Sequence, residues 1–150
     1  MAIESILLAV GPSDKNRLEE LAETAIDIAG PTGAEVTIAH VFTEDQYDDV
    51  IERLEFASAG DADPDDVADR HTNVRDIAAM LDSADVPHST RGAVGEHGDE
   101  IVSLAETTGA DLVIVGGRKR SPTGKAVFGS VAQEVMLNAP CPVTFVRGEE

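Results

Sequence analysis

DLVIVGGRKRSPTGKAVFGSVAQEVMLNAP, Asp111 to Pro140, is the stretch whose reading decides the fold. It opens with Leu112, Val113, Ile114 and Val115, a short apolar run of the kind a strand buried on both faces requires. Gly116 and Gly117 are expected to end the strand, and a basic loop, Arg118 to Phe128, follows. Gly129 and Ser130 then open a helix whose expected apolar face is Val131, Val135 and Met136. Ser130 and Gln133 have the spacing of a capping box, in which the hydroxyl receives the Gln133 N–H and the Gln side chain reaches back. Strand, loop and helix in this order set the first N–H groups of the helix, with the positive end of its dipole, against the loop. That arrangement suits an anion, above all a phosphate.

Charge sharpens this reading. The 150 residues hold 29 Asp and Glu against 11 Lys and Arg, a formal net charge of −18. Yet Leu112 to Gln133 contains no acidic residue, while Arg118, Lys119, Arg120 and Lys125 fall inside it. A solvated loop with a good helix cap is the plainer account of the same residues, but the local reversal of charge favours an anion site. The overall acidity argues against nucleic acid and against anionic membrane as partners. A surface this acidic repels itself in dilute salt, whereas at molar salt the screening length falls to about 3 Å. A halophilic protein is therefore expected; a mesophilic protein with an acidic partner-binding face is the competing reading. The start, Met1-Ala2-Ile3-Glu4-Ser5, lacks the basic region and apolar core of a signal peptide. No run spans a bilayer, so a cytoplasmic location is expected. Cys141 is the only cysteine, which fits a reducing compartment.

Outward from the central stretch, Ile3 to Val10 reads as a first strand, broken by Gly11-Pro12-Ser13, with Ser13 or Asp14 able to cap the next helix. Leu18, Leu21, Ala22, Ala25, Ile26 and Ala29 follow at helical spacing, and Gly30-Pro31 is expected to stop that helix. Ala34 to Phe42 is a second strand, completing a βαβ unit and so a parallel pair. Tyr47, Val50, Ile51 and Leu54 suggest a short helix, and Ser58-Ala59-Gly60 a loop. Asp61, Asp63 and Asp65 alternate like a calcium loop, but Asp66 stands where that loop needs Gly and Thr72 where it needs Glu. Asp63 as N-cap ahead of Pro64 is the better reading. Val67, Val74 and Leu81 then predict one helix with a seven-residue repeat. Val86 to Arg91 is a less apolar strand, expected at a sheet edge, and Gly92 to Gly98 a turn. A helix carrying Ile101, Val102, Leu104 and Ala105 follows, capped by Asp99 or a neighbour and ended by Gly109. Cys141 to Val146 makes a fifth strand. Strands alternating with helices give an α/β, doubly wound five-stranded parallel sheet.

Other constellations fail on spacing. His40, His71, His88 and His97 lack partners at metal-ligand intervals. Thr123-Gly124-Lys125 echoes a phosphate loop, but Lys119 and Ala126 stand where that motif needs Gly and Ser or Thr. No His is placed near Ser130 in sequence to activate it, and Cys141 between two prolines reads as a small buried hydrophobe.

The central stretch resembles the signature of the universal stress protein family, whose nucleotide-binding members carry Gly, two residues, Gly, nine residues, then Gly with Ser or Thr. Gly116 fits the first Gly, Arg120 to Phe128 the nine spacers, and Gly129-Ser130 the end; Lys119 stands at the second Gly. The helix that follows and Ala139-Pro140-Cys141-Pro142-Val143 are also typical, and the acid excess likens the chain to members from halophilic archaea. The resemblance covers the whole chain and implies a single universal stress protein domain, 1–150. It also implies strand order 3-2-1-4-5 in a Rossmann-like, flavodoxin-like three-layer sandwich, with the ligand crevice between the first and fourth strands.

The implied nucleotide contacts are Ala9, Val10, Gly11, Val41, Val115, Gly116, Gly117, Arg118, Lys119, Gly129, Ser130 and Val131. The implied ligand is ATP or AMP, with Mg as an optional companion. Gly11 replaces the Asp that usually ends the first strand in the family, and Val41 falls where the second strand lines the adenine pocket, though a core role accounts for it equally. A homodimer through Val143, Thr144, Phe145 and Val146 is implied about a two-fold axis. The expected function is that of a dimeric stress-response sensor or regulator that binds adenine nucleotide; a dimeric scaffold without nucleotide is the alternative. The loop carries no general base and no carboxylate set for a metal, so no turnover beyond slow ATP hydrolysis is indicated.

Overall fold

The apolar runs do pair side by side. A computed structural model describes residues 2–53, 63–118 and 129–148. Five strands, β1 (Ser5–Ala9), β2 (Glu35–Phe42), β3 (His88–Val94), β4 (Leu112–Arg118) and β5 (Val143–Gly148), form one parallel sheet in the order β3-β2-β1-β4-β5. A 3₁₀ turn (Pro12–Arg17) leads into α1 (Leu18–Thr32); the other helices are α2 (Glu44–Arg53), α3 (Pro64–Asp69), α4 (Thr72–Ser83), α5 (His97–Thr108) and α6 (Ser130–Asn138). The pleat sends alternate side chains to opposite faces. Ile6, Leu8, Leu112 and Ile114 pack on Leu21, Ala25, Val74, Ile77 and Leu81 of α1 and α4. Leu7, Ala9, Val113 and Val115 pack on Ile101, Leu104, Ala132 and Val135 of α5 and α6. Each buried Leu or Ile adds about 1.5–3 kcal/mol, so the middle of the sheet holds the fold and the strand ends are left for other work. Among the described residues no helix is long and apolar enough to cross a membrane.

Several boundaries differ from the expected ones. β1 is shorter than the run Ile3 to Val10, and no Ser13 or Asp14 side chain caps α1; the chain first makes the 3₁₀ turn. Gly30-Pro31 does not stop α1. Pro31 lies in the last turn; its missing N–H forfeits the helical bond to Asp27 C=O, but only Thr32 follows it in the helix. The helix ends instead at Gly33, whose φ of 73° lets its N–H reach Ala29 C=O at 2.9 Å. The helix read through Val67, Val74 and Leu81 is two helices. Asp63 does cap the first, accepting from Asp65 N–H at 2.9 Å, but the chain breaks at Arg70-His71 and His71 caps the second, its Nδ1 accepting from Asn73 N–H at 3.1 Å. Val67 therefore packs with Phe42, Tyr47 and Ile51, away from Val74 and Leu81.

β3 lies at the sheet edge, as its composition implies, but runs through Gly92 to Val94 instead of turning there. A Cβ at Gly92 would fall on the Pro64 carbonyl, and Asp65 Oδ1 accepts the Gly92 N–H at 2.7 Å. The glycine admits α3 against the edge strand. β4 likewise continues through Gly116 and Gly117, which pair with Val146 and Arg147 of β5. α5 starts behind Glu96 with no side-chain cap, and Gly109 ends it at φ 65°. α6 buries Ala132 and Val135, while Met136 is 37% exposed, so Met136 is not part of its apolar face. β5 begins at Val143 because Pro142 contributes only its carbonyl, which accepts from Val113 N–H at 3.0 Å. Leu54, Ser58-Ala59-Gly60 and Asp61 fall outside the described residues.

Candidate nucleotide site

β1 and β4 are neighbours, yet their chains continue to opposite faces of the sheet: β1 toward α1, β4 toward α6. Such a switch point opens a crevice at the carboxyl ends of the strands. A cavity of about 590 Å³ lies there. Its floor is the ends of three strands, Ala9 to Gly11, Ala39 with Val41, and Val115 to Gly117. One wall is Ser13, Asp14 and Arg17 of the 3₁₀ turn; the other is Gly129 to Ala132 of α6 with His97 and Ile101 of α5. Ala9, Val10, Gly11, Val41, Val115, Gly116, Gly117, Gly129, Ser130 and Val131, all expected from sequence, line this cavity. Arg118 closes β4, while Lys119 and the rest of the basic loop through Phe128, with Thr123-Gly124-Lys125, lie outside the described residues.

The capping box expected at Ser130 is not formed. Gly129 is the N-cap, with φ −64° and ψ 161°, and its carbonyl accepts the first helical bond, from Gln133 N–H at 3.0 Å. Ser130, Val131 and Ala132 are thus the first three residues of α6, whose N–H groups have no carbonyl partner within the helix. All three line the cavity. The Ser130 side chain is exposed. No residue lies within 4 Å of where a Gly129 Cβ would stand among the described residues.

The β1 wall was not legible in the sequence. Asp14 is 7% exposed and Arg17 is 4% exposed. Asp14 Oδ2 accepts the Gly11 N–H at 2.7 Å, and Asp14 Oδ1 lies 3.4 Å from Arg17 Nε. Arg17 Nε also donates to Gly117 C=O at 3.3 Å, and another guanidinium nitrogen to Ser13 C=O at 3.0 Å. The pair ties the end of β1 to the end of β4 across the switch point. Their three-residue spacing was the only trace of it in the sequence. Gly11 carries no side chain at the end of β1, and Asp14 Oδ2 lies 3.6 Å from where a Gly11 Cβ would stand.

Beneath this wall His40 is 2% exposed. Its Nδ1–H donates to Val10 C=O at 2.6 Å, its ring centroid lies 4.2 Å from that of His71, and Asn73 Nδ2 donates to Gly11 C=O at 3.2 Å. Burial, and then the neighbouring His71, lower the His40 pKa from 6.5 to about 4 against the opposing effect of the Val10 bond. His40 is therefore neutral at pH 7. Burial and Arg53 lower that of His71 as well.

β2 supplies the remaining feature. On its β1 side, Glu35 N–H donates to Glu4 C=O and Ala39 C=O accepts from Val10 N–H; on its β3 side, Val36 N–H donates to Pro87 C=O and Phe42 C=O accepts from Gly95 N–H. By this alternation Val41 turns its N–H and C=O toward β1, which has already ended. The Val10 carbonyl that a longer ladder would offer Val41 is held by His40 instead. Val41 thus presents one donor and one acceptor to the cavity it lines.

Asp14 is the one carboxylate among the lining residues and is already bridged to Gly11 and Arg17. Among the described residues the donor set does not suit a protein-held Mg²⁺. The thiol of Cys141, half-buried against the α5 and α6 layer, is pushed up by burial and by Asp111, which leaves it a poor nucleophile at neutral pH.

The sequence profile of the universal stress protein family matches residues 2–147. A universal stress protein of Mycolicibacterium smegmatis is 38% identical over 92 residues, 61% of this chain and 71% of its own. A universal stress protein structure from Archaeoglobus fulgidus superposes with a TM-score of 0.73 at 28% identity, over 96% of this chain and 98% of its own. A second from that organism, in complex with dAMP, superposes with a TM-score of 0.68 at 21% identity, over 98% of this chain and 100% of its own.

Proposed function

The chain belongs to the universal stress protein family, and from that premise we propose that its cavity binds an adenine nucleotide, ATP or AMP, and that the protein works as a dimeric sensor or regulator. The observation that carries the reading is Gly129. Its backbone angles suit any residue and no described neighbour crowds it, so the described residues make no demand for glycine there. The space it leaves lies at the start of α6, where three N–H groups and the dipole favour a phosphate. Val41 supports the base at the other side, since a donor beside an acceptor complements N1 and the 6-amino group of adenine. Asp14 stands where a ribose hydroxyl could donate to it. The dAMP-bound relative has the same fold.

Titration of ATP and AMP in molar KCl, the medium the net charge calls for, tests the proposal. Wild type should bind and Gly129→Val should lose binding while staying folded. Affinity weaker than about 1 mM, near −4 kcal/mol, would transfer support to the scaffold reading. If Gly129→Val binds as well as wild type, this helix start is not the phosphate site.

The dimer is proposed on the open edge of β5, which among the described residues pairs only with β4. The four residues divide. Phe145 and Val143 lean on the α5 and α6 layer, and Val146 is buried in the other. A Cβ at Gly117 would come within 2.7 Å of the Phe145 ring. Phe145→Asp would therefore disturb the fold as well as the edge. Pro142 C=O faces β4, so by alternation Thr144 also faces β4 and Arg147 faces the open edge; Arg147 is exposed, and Arg147→Pro, which removes an edge N–H, is the cleaner test. Sedimentation in high salt should find a wild-type dimer and an Arg147→Pro monomer; a wild-type monomer at micromolar concentration would end the idea.

A further inference from the structure

We propose that His97 sets the base specificity of the cavity, accepting a hydrogen from a purine 6-amino group and excluding a 6-oxo group. The proposal deepens the nucleotide reading and rests on it. His97 is the first residue of α5 and lines the cavity with Val41 and Ile101. Its Nε2 lies 3.2 Å from Gln46 Oε1. That oxygen also accepts from Thr43 N–H at 2.9 Å, while Gln46 N–H donates to Thr43 Oγ1 at 3.2 Å, a reciprocal cap at the start of α2. A backbone N–H only donates, so the Gln46 atom facing it is the amide oxygen. The same oxygen faces His97, so Nε2 must carry the hydrogen and donate. In the neutral ring Nδ1 is then a bare acceptor, and among the described residues it makes no hydrogen bond. The cap on α2, remote from the cavity in sequence, thereby fixes the tautomer of a cavity side chain.

Val41 C=O and His97 Nδ1 are then two acceptors on residues that line the cavity. A 6-amino group has two hydrogens and can satisfy both. The 6-oxo group of hypoxanthine or guanine has none and would set its lone pairs against theirs. A site built to receive a donor rejects the analogue lacking it because its own polar groups are left unpaired.

Parallel titrations of AMP and IMP, identical in sugar and phosphate, test this. Wild type should prefer AMP. His97→Ala should lower the AMP-to-IMP preference by roughly tenfold or more, mainly by weakening AMP, and His97→Asn, which restores an amide oxygen, should recover part of it. In wild type with ¹⁵N-labelled histidine, the His97 Nδ1 resonance should move on addition of AMP; this measurement decides the matter even if a variant fails to fold. A preference unchanged in His97→Ala, or an Nδ1 resonance indifferent to AMP, overturns the assignment and leaves the nucleotide reading standing. A wild type that binds neither nucleotide overturns the nucleotide reading and the assignment with it.

Discussion

Across the crevice, the wall from Val10 to Arg17 and the wall from Gly129 to Ala132 differ in how their polar groups are satisfied. On the first, the Gly11 N–H, the Asp14 carboxylate, the Arg17 guanidinium and the Gly117 carbonyl bond to one another, with His40 and Asn73 closing the carbonyls of Val10 and Gly11 from below. On the second, the first N–H groups of α6 have no partner within the helix and, among the described residues, nothing crowds a Cβ at Gly129. The first wall is finished by the fold; on the proposed reading, a ligand finishes the second. Substitutions on the first should therefore cost stability, and substitutions on the second should cost binding.

Arg17→Met offers the largest break in that contrast. It leaves the buried Asp14 carboxylate without its guanidinium, which should lower unfolding free energy by about 3–5 kcal/mol. Urea melts at pH 7.5 measure it, and a loss under about 1 kcal/mol would mean that the pair behaves as a surface bridge. Next comes acid. The His40 pKa is depressed in the folded chain, so between pH 6.5 and 4 the unfolded chain binds a proton the folded one refuses. The corresponding stability is present above about pH 6.5, falls as pH drops toward 4, and for this group changes no further below. A depression from 6.5 to about 4 corresponds to about 3 kcal/mol across the window. Protonating carboxylates also relieves the general repulsion of so acidic a chain, so the readout is the difference between wild type and His40→Gln, which keeps a donor near Val10. Parallel pH curves for the two would refute the role of His40.

Two glycines of the same motif sharpen the comparison further. A Cβ at Gly116 would stand 2.8 Å from Arg17 Cδ and 3.1 Å from Asp14 Oδ1, so Gly116→Ala should cost about 1–3 kcal/mol through overpacking. Gly129→Ala should change stability by no more than about 0.5 kcal/mol, with its effect confined to nucleotide titration. Equal thermal shifts in the two variants would erase the distinction between the walls.

Periodicity and charge along the chain determined the strands of the sheet centre, their parallel pairing and the helix start beside a basic loop. These are local properties: a run such as Leu112 to Val115 states its own burial on both faces, and an acid-free window in an acidic chain is visible without knowing what lies near it. Cap and boundary details were read less well. The runs at Gly92 and Gly116-Gly117 continue because the neighbouring elements supply bonds or demand close approach, as α3 does at Gly92. What only the tertiary structure decided is the chemistry of the crevice beyond the motif. Arg17 meets Gly117 across 100 positions of sequence, Asn73 meets Gly11 across 62 and His97 meets Gln46 across 51. No local pattern announces such meetings, because each side chain becomes a buried cation, a tautomer-locked base or a carbonyl cap only when the sheet order brings a distant donor or acceptor to it.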